Sequence, residues 1–581
     1  MTQTRACCSI SRKNTCNIIT TGEVVPSGKM SAMKKIHFIL SASLLFFAAC
    51  RSSAPFEDND GIAALNKDSL VAHIQVLASD SFQGRRPFSA GETITVDYLQ
   101  KQFAAAGLEP GNGNSYFQEV PMVEITPQGA PVMKVQLPQS SFDLKRMDDY
   151  VMWTENTDPE VSLTNDEVIF AGYGVVAPEY GWNDYAGLDV KNKVVMVLVN
   201  DPGHAGIGDT SLFKGKAMTY YGRWTYKFEE AARQGAKGCL VIHNTASASY
   251  PFSVVQNSWG TSQLHLDTRG SGRYRCPVEG WITEAAAKKI ISAAGKDTAM
   301  LSKANTKGFA AVSLGAELST SMKVKANFKD SKNVIGKITG SKHPDEYIIY
   351  TAHWDHFGIG KPDAKGDSIY NGALDNASGT ASLLEMARAF RSMKAKPERT
   401  IIFLAVTGEE QGLLGSQYYA EHPVYPVAKT LANINIDVIN NMGRTKDFQI
   451  IGSGQSDLED YLAAEAKAKD RYIAAEAHPE AGEYFRSDHF NFAKVGVPAL
   501  TTSSGVDELV KGKQAGEEFH KYYNENLYHQ PADQYDPKRW NLDGAVEDLE
   551  LLFRVGRRIA FDKDWPKWKA GSEFKAKRDG K

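Results

Sequence analysis

The period of the hydrophobic positions changes several times along the chain, and each change predicts a different kind of element. Leu70, Ile74 and Leu77 fall at helical spacing, and a second helix is expected from Glu92 to Ala106 with Gly107 closing it. From Val161 the pattern reads as strands: EVIFAGYGVVAP, a turn region rich in Gly, Asn and Asp, and the apolar run VVMVLVN that ends at Asp201. A helix-like WTYKFEEAARQGA and a short strand CLVIH follow. From about Val334, strand-like and helix-like segments alternate: YIIYTAH, TASLLEMARAF, TIIFLAV, GLLGSQYYA and ANINIDVI. Alternation of this kind predicts βαβ units, hence an α/β fold with a mixed, mostly parallel central sheet flanked by helices and interrupted by a mainly β insert. The resulting division takes 60–150 and 326–565 as two parts of one domain and 151–325 as the insert. AVEDLELLFRVGRRIA is expected to be a closing helix, and the basic tail 566–581 a solvated end.

Composition narrows the partners. The 581 residues are 42% hydrophobic and 23% charged, ordinary globular usage with room for a large core. With 66 Lys and Arg against 69 Asp and Glu the net charge is -3, so no overall basic field points to nucleic acid. Six cysteines without a C-x-x-C pair exclude a disulfide framework and a Cys-based zinc ribbon. From Met33 the chain reads MKKIHFILSASLLFFAAC, two lysines followed by a short apolar run and small residues, which is the pattern of a bacterial export signal and too short for a transmembrane helix. Ala48 and Ala49 before Cys50 resemble a lipobox, although Phe47 stands where Leu is usual. The expectation is an exported protein anchored to a bacterial membrane through lipid at Cys50, periplasmic or on the cell surface. The 32 residues before Met33 read as an extension upstream of the true start.

Polar residues collect where the predicted strands end. His353 and Asp355 follow YIIYTA, Glu409 and Glu410 follow TIIFLAVTG, Asp437 closes ANINI, and Asp375 lies in NGALDNASGT just before a helix. In an open α/β sheet such positions converge on one crevice. A set of His, Asp and Glu without cysteine suits a hydrolytic zinc or another borderline-hard divalent ion, and two ions would need one bridging carboxylate.

The strings TAHWDHF, GALDNASGTA, TGEEQGLLGS, NIDVINNMG, SDHFNFAKVGVPA and YHQPADQYD, in this order from Thr351 to Asp536, resemble the motifs of the M28 family of co-catalytic zinc exopeptidases. The resemblance implies the zinc exopeptidase fold and two zinc ions, one held by His353, Asp375 and Asp437, the other by Asp375, Glu410 and His529. It makes Asp375 the bridge, with a cis peptide bond to Asn376, Glu409 the general base, and Tyr528 the phenol that stabilises the oxyanion. Asp355, two residues after His353, is expected to accept the imidazole N–H and fix the ring. His489 is left out of the metal set, as a pocket wall or a buried hydrogen-bonding group, and His356 is read as structural or solvated. In the insert, FAGYGVVAPEYGWNDYAGLDVKNKVVMVLVNDPG and KFEEAARQGAKGCLVIH resemble a protease-associated domain, which would roof the cleft, and LASDSFQGRRPF opens a stretch that resembles the family's leading segment. The expected activity is removal of N-terminal residues from peptides. The same family leaves open a carboxypeptidase or dipeptidase, a glutaminyl cyclase-like enzyme, and a non-catalytic receptor-like protein.

Overall fold

The computed structural model describes residues 57–204, 211–259 and 261–580, so the expected leader and Cys50 lie outside the described residues. Among those described, no helix is long and apolar enough to cross a membrane. The first helix, Lys67–Leu77, buries Leu70, Ile74 and Leu77 as their spacing predicts, and Asn66 caps it by accepting the Ser69 N–H at 3.0 Å. The second, Ala90–Ala105, starts two residues before the expected Glu92 because the Ser89 hydroxyl accepts the Gly91 N–H. Gly107 follows it with φ +76°, the left-handed setting a helix stop requires.

The site rests on a parallel ribbon at the centre of the sheet. Strand His343–His353 lies between Arg399–Val406 and Thr430–Asn435, parallel to both, and Thr430–Asn435 pairs in parallel with Ala499–Ser504. All eight residues of Arg399–Val406 are buried, as a strand covered on both faces must be. Alternate side chains feed two separate cores. Ile348, Tyr350, Ile401 and Phe403 pack with Phe390 of helix Gly379–Ser392 and Phe553 of helix Asp543–Phe561, whereas Ile349, Ile402, Leu404 and Val406 pack with Tyr419 and Phe492 on the other face. The edges turn antiparallel. Val312–Ile338 pairs antiparallel with Arg399–Val406, and Asp447–Ile450 antiparallel with Ala499–Ser504.

Strand Val312–Ile338 is 27 residues long and ties the insert to the parallel ribbon. Its first part pairs with Glu160–Phe170 and its later part with Phe117–Gly129. In the insert, Glu160–Phe170, Val194–Leu198, Gly238–His243 and Val278–Thr283 form a parallel sheet closed by antiparallel Tyr150–Trp153. Met133, Val135 and Leu144 of the hairpin Val132–Lys145 belong to the insert's core. By packing, the insert therefore begins about twenty residues before the boundary read from the sequence.

The basic tail departs from expectation. Trp568 and Phe574 are buried with Tyr484, Phe485 and Phe490, and the Trp568 indole donates to the Gly496 carbonyl at 2.9 Å. The run of lysines masked these two apolar anchors, whose burial outweighs the cost of ordering the segment.

Candidate metal centre and active site

The chemistry gathers at the carboxyl end of the parallel strands. His353 is the last residue of its strand, Glu409 and Glu410 follow Arg399–Val406 across a turn at Gly408 (φ +65°), and Asp437 stands two residues beyond Thr430–Asn435. Asp375 lies in the turn Ala373–Ser378 that leads into helix Gly379–Ser392, and its bond to Asn376 is cis. His529 follows helix Lys513–Asn526 with φ +57°, a left-handed backbone that histidine tolerates better than most residues.

All five expected ligand residues come together. His353 Nε2 lies 3.2 Å from Asp437 Oδ1 and 3.3 Å from Asp375 Oδ1. His529 Nε2 lies 3.2 Å from Asp375 Oδ2 and 3.3 Å from Glu410 Oε2. Asp375 thus turns one oxygen to each pair. The donor atoms of His353, Asp375 and Asp437 lie within 4.8 Å of one another, and so do those of His356, Asp375 and Glu410 and of His353, Glu409 and Glu410, so each set could hold an ion.

Four carboxylates here face only a few imidazoles. Burial pushes the Glu409 and Glu410 carboxyls well above the usual range, and the neighbouring acids add to it. Burial acts against ionised Asp375 as well, yet hydrogen bonds from His353 and His529 hold it well below the normal value. At His353 burial opposes the charged ring, but Glu409, Asp437 and Asp375 together carry its pKa well above normal. A site with this much negative charge calls for cations. Its donors, imidazole nitrogens and carboxylate oxygens without thiolate, fit zinc.

Two expectations change in detail. The Asp355 carboxylate is 3.8 Å from His353 Nδ1, and the group facing that nitrogen is the Asp355 main-chain carbonyl at 3.2 Å. The carboxylate instead accepts the backbone N–H groups of Glu409 at 3.1 Å and Glu410 at 3.4 Å. Asp355 therefore clamps the turn that presents both glutamates. Asp355→Ala should lower kcat about 10- to 100-fold while the protein still binds zinc, read by steady-state kinetics beside metal analysis. His356, read as structural or solvated, is fully buried inside the cluster, and its Nδ1–H donates to Glu410 Oε1. Burial pulls its pKa down to about 4, so the ring is neutral.

Sequence reasoning missed the residues that hold the loops. Arg85 is buried and donates to four main-chain carbonyls: Trp354 at 2.8 Å, Leu77 at 2.8 Å, Asn371 at 2.6 Å and Gly372 at 2.9 Å. It ties the loop after His353 to the loop before Asp375. Burial lowers its pKa to about 10, so it stays charged at neutral pH. Asp533 accepts the backbone N–H groups of Leu374 and Asp375 at 3.1 Å each, and the Thr380 hydroxyl donates to the His353 carbonyl at 2.6 Å. Arg85 and Asp533 lie in strings already singled out, LASDSFQGRRPF and YHQPADQYD, but nothing local marks a guanidinium that serves carbonyls. Arg85→Ala strands those carbonyls in the core and should cost at least about 3 kcal/mol in urea unfolding. A loss below about 1 kcal/mol would remove it as the organiser of these loops.

A cavity of about 690 Å³ opens onto Asp375, Glu409, Asp437 and His529. Tyr528 stands in its wall, 45% exposed and stacked on the His529 ring with centroids 3.7 Å apart. His489 also lines the cavity, fully buried, with its ring edge-on to Tyr484. Burial pulls it down to about 3, so it is neutral, and it belongs to none of the metal-capable groups among the described residues. The insert contributes Ser249 and Tyr250 to the same wall.

Comparison with known proteins follows the same residues. Residues 333–553 match the model of peptidase family M28. A "Probable zinc metalloprotease" of Pyrenophora teres f. teres (strain 0-1) is 41% identical over 108 residues, 19% of this chain and 22% of that protein. "Aminopeptidase NAALADL1" of Mus musculus is 36% identical over 129 residues, 21% of this chain and 16% of that protein. The matches thus span about a fifth of the length of these curated relatives. A solved aminopeptidase from Aneurinibacillus sp. strain AM-1 aligns over 86% of this chain and 96% of its own, at 17% identity and a TM-score of 0.48.

Proposed function

We propose that this protein, whose residues 333–553 match the model of peptidase family M28, is a dizinc exopeptidase that removes N-terminal residues from peptides. The observation that carries the proposal is Asp375, with one oxygen toward His353 and the other toward His529. In this reading His353, Asp375 and Asp437 hold one zinc, and Asp375, Glu410 and His529 the other. When bound, the pair lowers the pKa of water toward neutrality and polarises the scissile carbonyl.

The chain's own residues do the rest. Glu409 Oε2 lies 4.0 Å from His353 Nε2, close enough to face the attacking water without being needed in either ligand set. Its carboxylate takes the proton as water adds and returns it to the leaving amine. The Tyr528 phenol, held by stacking on His529, donates to the oxygen on which negative charge develops. His356 steadies Glu410 from behind by donating to its second oxygen.

The test is a peptide ladder with free or blocked ends, incubated with the zinc-loaded protein and read by mass spectrometry. Sequential loss from free amino ends, abolished by acetylation, supports the aminopeptidase reading. Cleavage that needs a free carboxyl end instead makes it a carboxypeptidase, and no cleavage of any peptide overturns the proposal. The insert would act as a protease-associated roof over the cleft. Export with a lipid anchor at Cys50 completes the proposal: Cys50→Ser should move the protein from the membrane to the soluble fraction and abolish palmitate labelling. Unchanged fractionation would refute the anchor.

A further inference from the structure

His529 is the least secured of the five residues that converge at the site. Its side chain is 34% exposed, against 22% for Asp437 and 7% or less for Asp375, Glu410 and His353. His353 ends a strand of the central sheet, and the Glu410 and Asp375 backbones are held by the buried carboxylates of Asp355 and Asp533. His529 stands in a turn past the end of helix Lys513–Asn526, on a left-handed backbone. A ligand placed there needs its ring fixed by its surroundings if Nε2 is to stay aimed at the point it shares with Asp375 and Glu410.

Those surroundings are aromatic. The imidazole stacks on Tyr528, and the Phe357 ring meets it edge-to-face, with centroids 4.6 Å apart and planes at 67°, an arrangement that aromatic quadrupoles favour. Tyr528 is the adjacent residue and turns with the same loop, so the fixed reference is Phe357. Phe357 is itself braced. It leads into a hairpin in which Gly358–Ile359 pairs antiparallel with Ile369–Tyr370, and its ring meets Tyr370 at 6.2 Å and 65°. The base of the hairpin rests on the backbone beside Arg85: a Cβ on Gly84 would come within 2.5 Å of the Tyr370 carbonyl oxygen and 2.6 Å of that of Gly358. The hairpin also holds the chain beyond His529. Asp367 accepts the Ile369 N–H at 3.0 Å with one oxygen and the Gln534 side-chain amide at 2.9 Å with the other.

We infer that Phe357 is a positioning residue for His529, and that the hairpin it opens braces the second metal site from outside the ligand set. The inference rests on the dizinc reading and adds what keeps the more exposed of its two histidines in place. An aliphatic side chain at 357 would fill space without opposing rotation of the imidazole.

The test measures zinc affinity of the full chain by competition with a chromophoric chelator. The proteins compared are the parent, Phe357→Leu, Phe357→Tyr, Gln534→Ala, and His529→Ala with and without Phe357→Leu. Phe357→Leu should weaken one of the two zinc ions about 10-fold and leave the other unchanged, the scale of losing a group that orients a ligand. Phe357→Tyr keeps the ring and should hold both ions as the parent does. With His529→Ala already in place, Phe357→Leu should change nothing further, because the ring it positions is gone. That comparison separates positioning from general loosening. If Phe357→Leu holds both ions as tightly as the parent, or still weakens the remaining ion in the His529→Ala background, the inference is overturned and the dizinc reading stands. If Phe357→Leu fails to fold, Gln534→Ala decides: a weaker hold on the ion that His529→Ala releases supports the brace, and parental affinity for both ions overturns it. A parent that binds a single zinc, unaffected by His529→Ala, removes the dizinc reading and the inference together.

Discussion

Glu409→Gln is expected to lower kcat by about 10³- to 10⁴-fold while fold and zinc content stay as they are. The substitution keeps the shape of the side chain and leaves the backbone N–H of residue 409 free to bond Asp355, so the turn that carries Glu410 is preserved. What disappears is the ability to accept a proton. Among the described residues no hydrogen bond fixes the Glu409 carboxylate, whose Oε2 stands 4.0 Å from His353 Nε2, as suits a group that must move a proton. Activity within tenfold of the parent would remove Glu409 as the base. Loss of one zinc in the variant would instead make Glu409 a ligand, consistent with the alternative set of His353, Glu409 and Glu410.

Asp375→Asn should weaken both metal sites at once, by at least about 100-fold each, because a ligand common to two ions should matter more than an outer partner worth about 10- to 100-fold. The amide keeps the hydrogen bonds that Asp533 accepts from the Leu374 and Asp375 backbone, so the loop should hold its place. It removes the negative charge that turns one oxygen to His353 and the other to His529. Elemental analysis after dialysis should therefore fall from two zinc ions per chain to fewer than one, and activity should fall with it. Retention of one ion at full occupancy would show that Asp375 serves a single site. A variant of the outer clamp, Asp355→Ala, separates the two effects, since it should slow turnover without emptying the sites.

The cavity adds a constraint that neither substitution touches. Asp375, Glu409, Asp437 and Arg486 line one continuous space. In that space the insert supplies Ser249 and Tyr250.

Much of this was written in local pattern. A strand buried on both faces needs apolar residues at nearly every position, which is why YIIYTAH and TIIFLAV announced the parallel sheet, and why the polar residues just past them marked the crevice. Motif order was enough to name His353, Asp375, Glu410, Asp437 and His529 before any of them had a place in space. The tertiary structure alone decided what holds them. Arg85 reaches the Asn371 carbonyl 286 positions along the chain, and a carbonyl carries no side-chain signature that periodicity or composition could register. It was also the fold that turned the Asp355 carboxylate away from His353 and onto the Glu409 turn, drew His356 into the cluster, and buried Trp568 and Phe574 beneath a basic tail. Hydrophobic spacing reports burial against neighbours a few residues away. Which distant partner a polar group meets depends on how the elements pack, as the Thr380 hydroxyl on the His353 carbonyl also shows.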